Sequence, residues 1–195
     1  FLEETSFKKK MQKYFAKKED GNQINTTLTE IEKSISSYLV LKTMVSLLTG
    51  FLSYLVLLFV GIDSPLFWAF LIFLLNYIPT IGSLIATLFP AIFSLIQFGE
   101  FTPFLVIAGA VGAVQIIVGN LIEPRLTGKS LNLSPIVTIM ALAVWGKIWG
   151  ITGMILSVPI TVIMLIVFSQ FESTQTVALI LSGNGEIGKA KDKEA

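Results

Sequence analysis

The sequence predicts an all-α integral membrane protein, and three observations predict it. Hydrophobic residues fill 53% of the 195 positions and charged ones only 14%, with a mean hydropathy of +0.78, a balance outside that of soluble domains. Five stretches carry no charge at all: Thr43 to Ile62, Ser64 to Gly99, Phe101 to Ile122, Ser130 to Gly146 and Ile148 to Phe171. A helix needs about 20 apolar residues to cross a bilayer, and a chain this short has too little polar material to wrap several such runs in a soluble core. Finally, the charges are sorted. Residues 8 to 18 hold six lysines and Lys189, Lys191 and Lys193 lie near the other end, whereas the short turns around Asp63 and Glu100 contain no Lys or Arg. The positive-inside rule then places both ends of the chain in the cytoplasm and those two turns outside. The lysines are read as topology signals, and no nucleic-acid partner is expected. The chain starts at Phe1 without a signal-peptide pattern and reads as a piece of something longer.

From the N-terminus, residues 1–38 are predicted to form basic amphipathic helices on the cytoplasmic side. Phe7, Met11, Tyr14 and Phe15 recur at helical spacing among lysines, a pattern that suits either a helix lying on anionic lipid or a solvated basic helix packed on the protein. Gly21, Asn22 and Gln23 are expected to break it, and Thr27 with Glu30 has capping-box spacing for the next helix. That helix carries Leu28, Ile31, Ile35, Tyr38 and Leu39 on one face and runs unbroken into the first span. Lys42, near the start of the span, is expected to snorkel to the interface as an anchor.

Two membrane repeats are predicted next, residues 39–98 and 99–171, with a polar cytoplasmic tail over 172–195. Each repeat begins with one clean span, 39 to 62 and 103 to 122, and continues into an apolar stretch interrupted in its middle. The first interruption is marked by Asn76, Pro79 and Gly82, the second by "WGKIWGITG"; each second arm has a glycine and then a proline, Gly82 with Pro90 and Gly153 with Pro159. The expected form is an inverted pair, each repeat one span plus one Gly/Pro-broken re-entrant hairpin. Broken segments at corresponding positions of inverted repeats mark the binding sites of secondary transporters. Pairs of short tilted spans would show the same pattern.

Cys and His are absent, which excludes thiol nucleophiles, disulfides, Cys/His metal sites and an imidazole base. No Ser/Lys or carboxylate pair stands in their place, so an enzyme is not expected. Polar side chains within apolar runs are the candidates for function. Asn76 precedes Pro79, whose missing N–H interrupts the helix ladder; either Asn76, Thr80 and freed carbonyls coordinate a cargo or cation, or Asn76 merely satisfies the broken backbone. Gln115 and Asn120 lie among Ala108, Gly109, Gly112, Ala113 and Gly119, residues that permit close helix approach. Within "GNLIEPRLTG" (119 to 128), Asn120 and Glu123 share a helix face and Pro124 is expected to end the helix. Glu123 is the one acid next to this glycine-rich face, a carboxylate for a proton or cation, with Arg125 beside it as compensating charge; an interfacial ion pair anchoring the helix end is the alternative. Lys147, between Trp145 and Trp149, is an interfacial anchor if the last stretch spans fully and faces the pathway if it is re-entrant.

The stretches "FLLNYIPTIGSLIATLFPAIFSLIQFG" (73 to 99) and "GNLIEPRLTGKSLNLSPIVTIMALAVWGKIWGITGMILSVPITV" (119 to 162) resemble the autoinducer-2 exporter family of bacterial permeases, specifically its C-terminal part. The family features are an N-x-IP-x-IG turn, a GN-x-IEP segment, an L-S-P-x-V span and a W-G-x-x-G ending, present here in order. The resemblance implies a multi-pass transporter of the bacterial inner membrane. It also implies homo-oligomeric assembly, a pentamer among the candidate states, and export of a small signalling furanone or, in other members, exchange of sodium for protons. The expected function is therefore a secondary transporter, or permease, for a small polar organic solute. A monovalent cation/proton antiporter and a membrane scaffold are the alternatives. The expected partners are the bilayer, the solute and further copies of the chain; no cofactor or metal is expected beyond a coupling ion, H⁺ or Na⁺. The site expected on this reading comprises Asn76, Pro79, Thr80, Gly82, Gln115, Asn120, Glu123, Arg125 and Lys147.

Overall fold

A computed structural model of the chain describes residues 21–127, 132–183 and 185, and these form helices joined by tight turns. The lysine-rich segment expected to be amphipathic, and the end of the tail, lie outside the described residues. Helix α1 runs from Gly21 to Val60, 40 residues without a proline, or about 60 Å at 1.5 Å per residue. The segment before the break expected at Gly21 to Gln23 lies outside the described residues. Gly21 to Gln23 themselves are helical, and Thr27 lies inside the helix instead of capping it. A Gly or Asn inside a helix costs only up to about 1 kcal/mol relative to Ala, which a helix of this length absorbs.

Gly61 (φ 82) and Ser64 (φ 53) turn the chain, and Pro65 opens α2 (Pro65–Leu75) at a position where its missing N–H costs nothing. At 11 residues, or about 16 Å, α2 is only about half as long as a bilayer core is thick. It packs tightly on α1: a Cβ at Gly50 would lie 3.1 Å from that of Phe73 and 3.2 Å from the Ala69 carbonyl oxygen. After an interruption at 76–80 the chain returns as α3 (Ile81–Phe98), which keeps Pro90 within it. The start of α2 and the end of α3 lie side by side, because the Gln97 side chain accepts from the Asp63 N–H (2.8 Å) and donates to the Gly61 carbonyl (3.1 Å). The two turns that the charge pattern assigned to one face thus adjoin one another.

Gly99 (φ 68) ends α3, and α4 (Phe101–Ile117) runs back alongside α3 and α1. Leu57, Ile62, Ile72, Ala86, Ala91, Ile107 and Val111, drawn from all four helices and the turn after α1, close a dry core. The outer surface is apolar as well, with Phe59 95%, Ile96 78% and Phe101 71% exposed, the distribution expected when lipid is the solvent. Beyond α4 the helix widens into a π-turn (Val118–Ile122) and continues as α5 (Glu123–Thr127). Pro124 therefore does not end the helix. It has no N–H to give to a carbonyl four residues back, and the ladder meets that gap by widening: the Glu123 N–H bonds to the Val118 carbonyl five residues back.

Helix α6 (Pro135–Ser169) folds on itself at Gly150, whose φ of 63° and ψ of −140° are not helical. Its arms face each other so closely that a Cβ at Gly153 would lie 1.9 Å from the Trp145 carbonyl oxygen. The earlier hairpin has the same joint, with a Cβ at Gly82 falling 1.8 Å from the Leu75 carbonyl oxygen. Val158, Val162 and Ile166 of the second arm pack against Tyr38 of α1. A 3₁₀ turn (Glu172–Thr174) leads to α7 (Gln175–Leu181). The chain after α7 bonds back to the start of α6 through Ser134 N–H to the Leu181 carbonyl, 3.0 Å, and Gly183 N–H to the Asn132 carbonyl, 2.9 Å. Among the described residues four helices are long and apolar enough to cross a membrane, by length and composition only: Thr26–Val60, Ile81–Phe98, Phe101–Leu126 and Pro135–Ser169, the last counted through its bend at Gly150.

Candidate functional site

The tip of the α2–α3 hairpin is where the sequence forces the backbone out of helical bonding. Asn76 still donates its N–H to the Ile72 carbonyl, but Pro79 has no N–H, and the Ile81 N–H bonds to the Pro79 carbonyl only two residues back, at 2.6 Å. That is a γ-turn centred on Thr80, with φ 59° and ψ −57°. A β-branched residue rarely adopts this left-handed form, and holding it there costs about 1–3 kcal/mol. The tip is fastened to α1 by side chains. Asn76 Nδ2 donates to Ser46 Oγ at 3.0 Å, and Tyr77 OH lies 2.7 Å from Thr43 Oγ1. Since Thr43 gives its only hydroxyl hydrogen to the Leu39 carbonyl, the tyrosine is the donor.

The π-turn between α4 and α5 lies across from this tip, so two irregular segments face each other beside α1. Between them is a cavity of about 390 Å³, lined by Lys42 of α1, by Asn76, Ile78, Pro79, Thr80 and Ser83 of the hairpin, and by Gln115, Ile116, Gly119, Asn120 and Glu123. Lys42 Nζ donates to Glu123 Oε1 at 2.6 Å, with the lysine side chain 7% exposed and the glutamate 28%. Gln115 Nε2 is buried and meets no acceptor among the described residues. A buried donor left so costs about 1–3 kcal/mol.

Six of the nine residues singled out in the sequence thus share one cavity: Asn76, Pro79, Thr80, Gln115, Asn120 and Glu123. Gly82 is buried just beneath it, at the hairpin joint. Arg125 and Lys147 are exposed and line no part of it; Lys147 sits at the bend of α6, and α6 packs chiefly on α1 and α7. Lys42 reverses its sequence reading: it does not snorkel but is buried as the partner of Glu123, the role the sequence gave to Arg125. One signal could have revealed it. Lys42, Ser46, Thr49 and Ser53 form a polar stripe at helical spacing along an otherwise apolar span, and all four are buried.

The arrangement offers hydroxyls, amides and one ion pair beside apolar Ile78 and Ile116, in a volume fit for a small molecule. A sequence profile of AI-2E family transporters matches residues 1–173. The chain is 40% identical over 149 residues to the AI-2 transport protein TqsA of Escherichia coli K12, covering 76% of this chain and 43% of TqsA. It is 36% identical over 194 residues to a Borreliella burgdorferi protein, covering 96% of this chain and 53% of the other. It is also 39% identical over 150 residues to YhhT of E. coli K12, covering 76% and 42%. The last two carry provisional transport names. The chain therefore spans about half or less of each relative's length, between 42% and 53%.

Proposed function

The chain belongs to the AI-2E transporter family, and from that premise we propose that it forms the solute-binding half of a secondary transporter for a small polar organic solute. One observation carries this reading: the cavity lies where two interrupted segments meet, beside a buried ion pair. Irregular backbone at membrane depth is tolerated where protein buries it or a water-filled space receives it, and transporters place their sites at such interruptions. TqsA is an AI-2 transport protein by name, and the small furanone that the family resemblance implies is a class that the polar groups of Asn120, Thr80 and Ser83 in the lining suit. The bacterial inner membrane, with both ends of the chain cytoplasmic, is part of the proposal, supported by the lysine distribution and the adjoining turns at Asp63 and Glu100. So is assembly as a homo-oligomer, on the resemblance alone.

The test uses the absence of cysteine from the sequence. A thiol introduced by Ser83→Cys in the full-length protein should react with a maleimide, and reaction should abolish flux of a furanone-type solute in proteoliposomes, with the solute itself slowing the modification. Ile136→Cys, on a side chain 70% exposed away from the cavity, should be modified without effect. Full flux after complete modification at position 83 would refute the placement.

A further inference from the structure

We infer that Lys42 is the cavity's own counter-ion: its ammonium holds the place beside Glu123 that a monovalent cation would take, so the cavity accepts uncharged polar solutes and excludes Na⁺. The inference rests on the cavity being the transport site, as proposed above. Among the described residues, Lys42 and Glu123 are the only charged ones in its lining, so the lining's two charges cancel. The contact is direct, 2.6 Å from Nζ to Oε1. Because Lys42 is almost wholly enclosed, the carboxylate is its charged partner, and the pair opens only at the cost of stranding an ammonium.

A free cation must compete with this tethered one. A lysine ammonium is a compact point charge, and a group on a short tether acts at an effective concentration in the millimolar range or above. Sodium meeting Glu123 therefore faces a competitor that never dilutes. What lies around the carboxylate would otherwise suit a hard cation, which takes oxygen ligands. Thr80 and Asn120 line the same space, and Asn76, whose Nδ2 is engaged by Ser46, keeps its amide oxygen for another partner. Removing the lysine should uncover a cation site the protein already contains.

The experiment is equilibrium binding of radiosodium to the detergent-purified full-length protein in choline chloride. Wild type should show no saturable binding in the millimolar range. Lys42→Met and Lys42→Gln should bind saturably, at least about tenfold tighter than wild type, which corresponds to about 1.4 kcal/mol, and Lys42→Met/Glu123→Gln should lose the gain. Lys42→Gln retains a hydrogen-bond donor, so folding does not hang on one substitution. Saturable wild-type binding as tight as that of Lys42→Met would overturn the inference. So would the absence of any gain in both single variants when they elute as folded protein. Binding is read without flux, so a failure of solute transport would count against the proposed function and leave this result standing.

Discussion

The two ends of the Lys42–Glu123 pair are unequally buried, and removing each should cost a different amount. At 2.6 Å and an effective dielectric of about 20, the gross attraction is about 6 kcal/mol, most of it offset by taking both charges out of water. Glu123→Gln leaves behind an ammonium that is 7% exposed, and an uncompensated buried charge costs about 3–5 kcal/mol. Lys42→Met leaves a carboxylate that is 28% exposed and open to cavity water, with an expected cost of about 1–3 kcal/mol. The double variant strands nothing, so it should be more stable than the sum of the single losses implies, by a coupling of about 1–3 kcal/mol. Reversible unfolding by titrating SDS into mixed micelles measures all four proteins on one scale. Additivity within about 0.5 kcal/mol, or a larger loss from Lys42→Met than from Glu123→Gln, would refute the reasoning.

Two further predictions concern the hairpin joints. Thr80→Gly should raise the unfolding midpoint, because relief of about 1–3 kcal/mol of γ-turn strain exceeds the roughly 0.5–1 kcal/mol of chain entropy that a glycine adds; a lowered midpoint in the same titration would show that Thr80 is not strained. Gly82→Ala and Gly153→Ala each drive a methyl against a carbonyl oxygen, at 1.8 and 1.9 Å, and should lose about 1–3 kcal/mol or more. Gly119→Ala, whose Cβ would meet nothing within 4 Å, should unfold like wild type, and equal losses at all three positions would refute the close-approach argument.

The long apolar helices and the first hairpin's interruption were legible because they follow from local causes, charge-free length and the missing N–H of Pro79. Glu123 was legible too, as an acid beside a glycine-rich apolar face. Its partner was not. Lys42 stands 81 residues away, and at the edge of an apolar run a lysine looks like an interfacial anchor whether or not it has a mate; Arg125, two positions from Glu123, was the nearer guess. The γ-turn was hidden because a threonine at positive φ contradicts local propensity, so only tertiary restraint, here Asn76 on Ser46 and Tyr77 on Thr43, can hold it. Pro124 signalled an irregularity but not its form, since a missing N–H can be met by stopping or by widening, and packing on α1 decides between them.

The separation of Lys42 from Glu123 also bears on how the chain is made. A ribosome delivers α1 to the membrane 81 residues before the acid that neutralises it. For that interval the lysine travels as a lone cation in a newly inserted segment, at a cost of about 2.5–3.5 kcal/mol if it rests at the bilayer centre. Reaching for the headgroups is the nascent chain's remedy. The pairing that buries Lys42 therefore waits for the helix that carries Glu123.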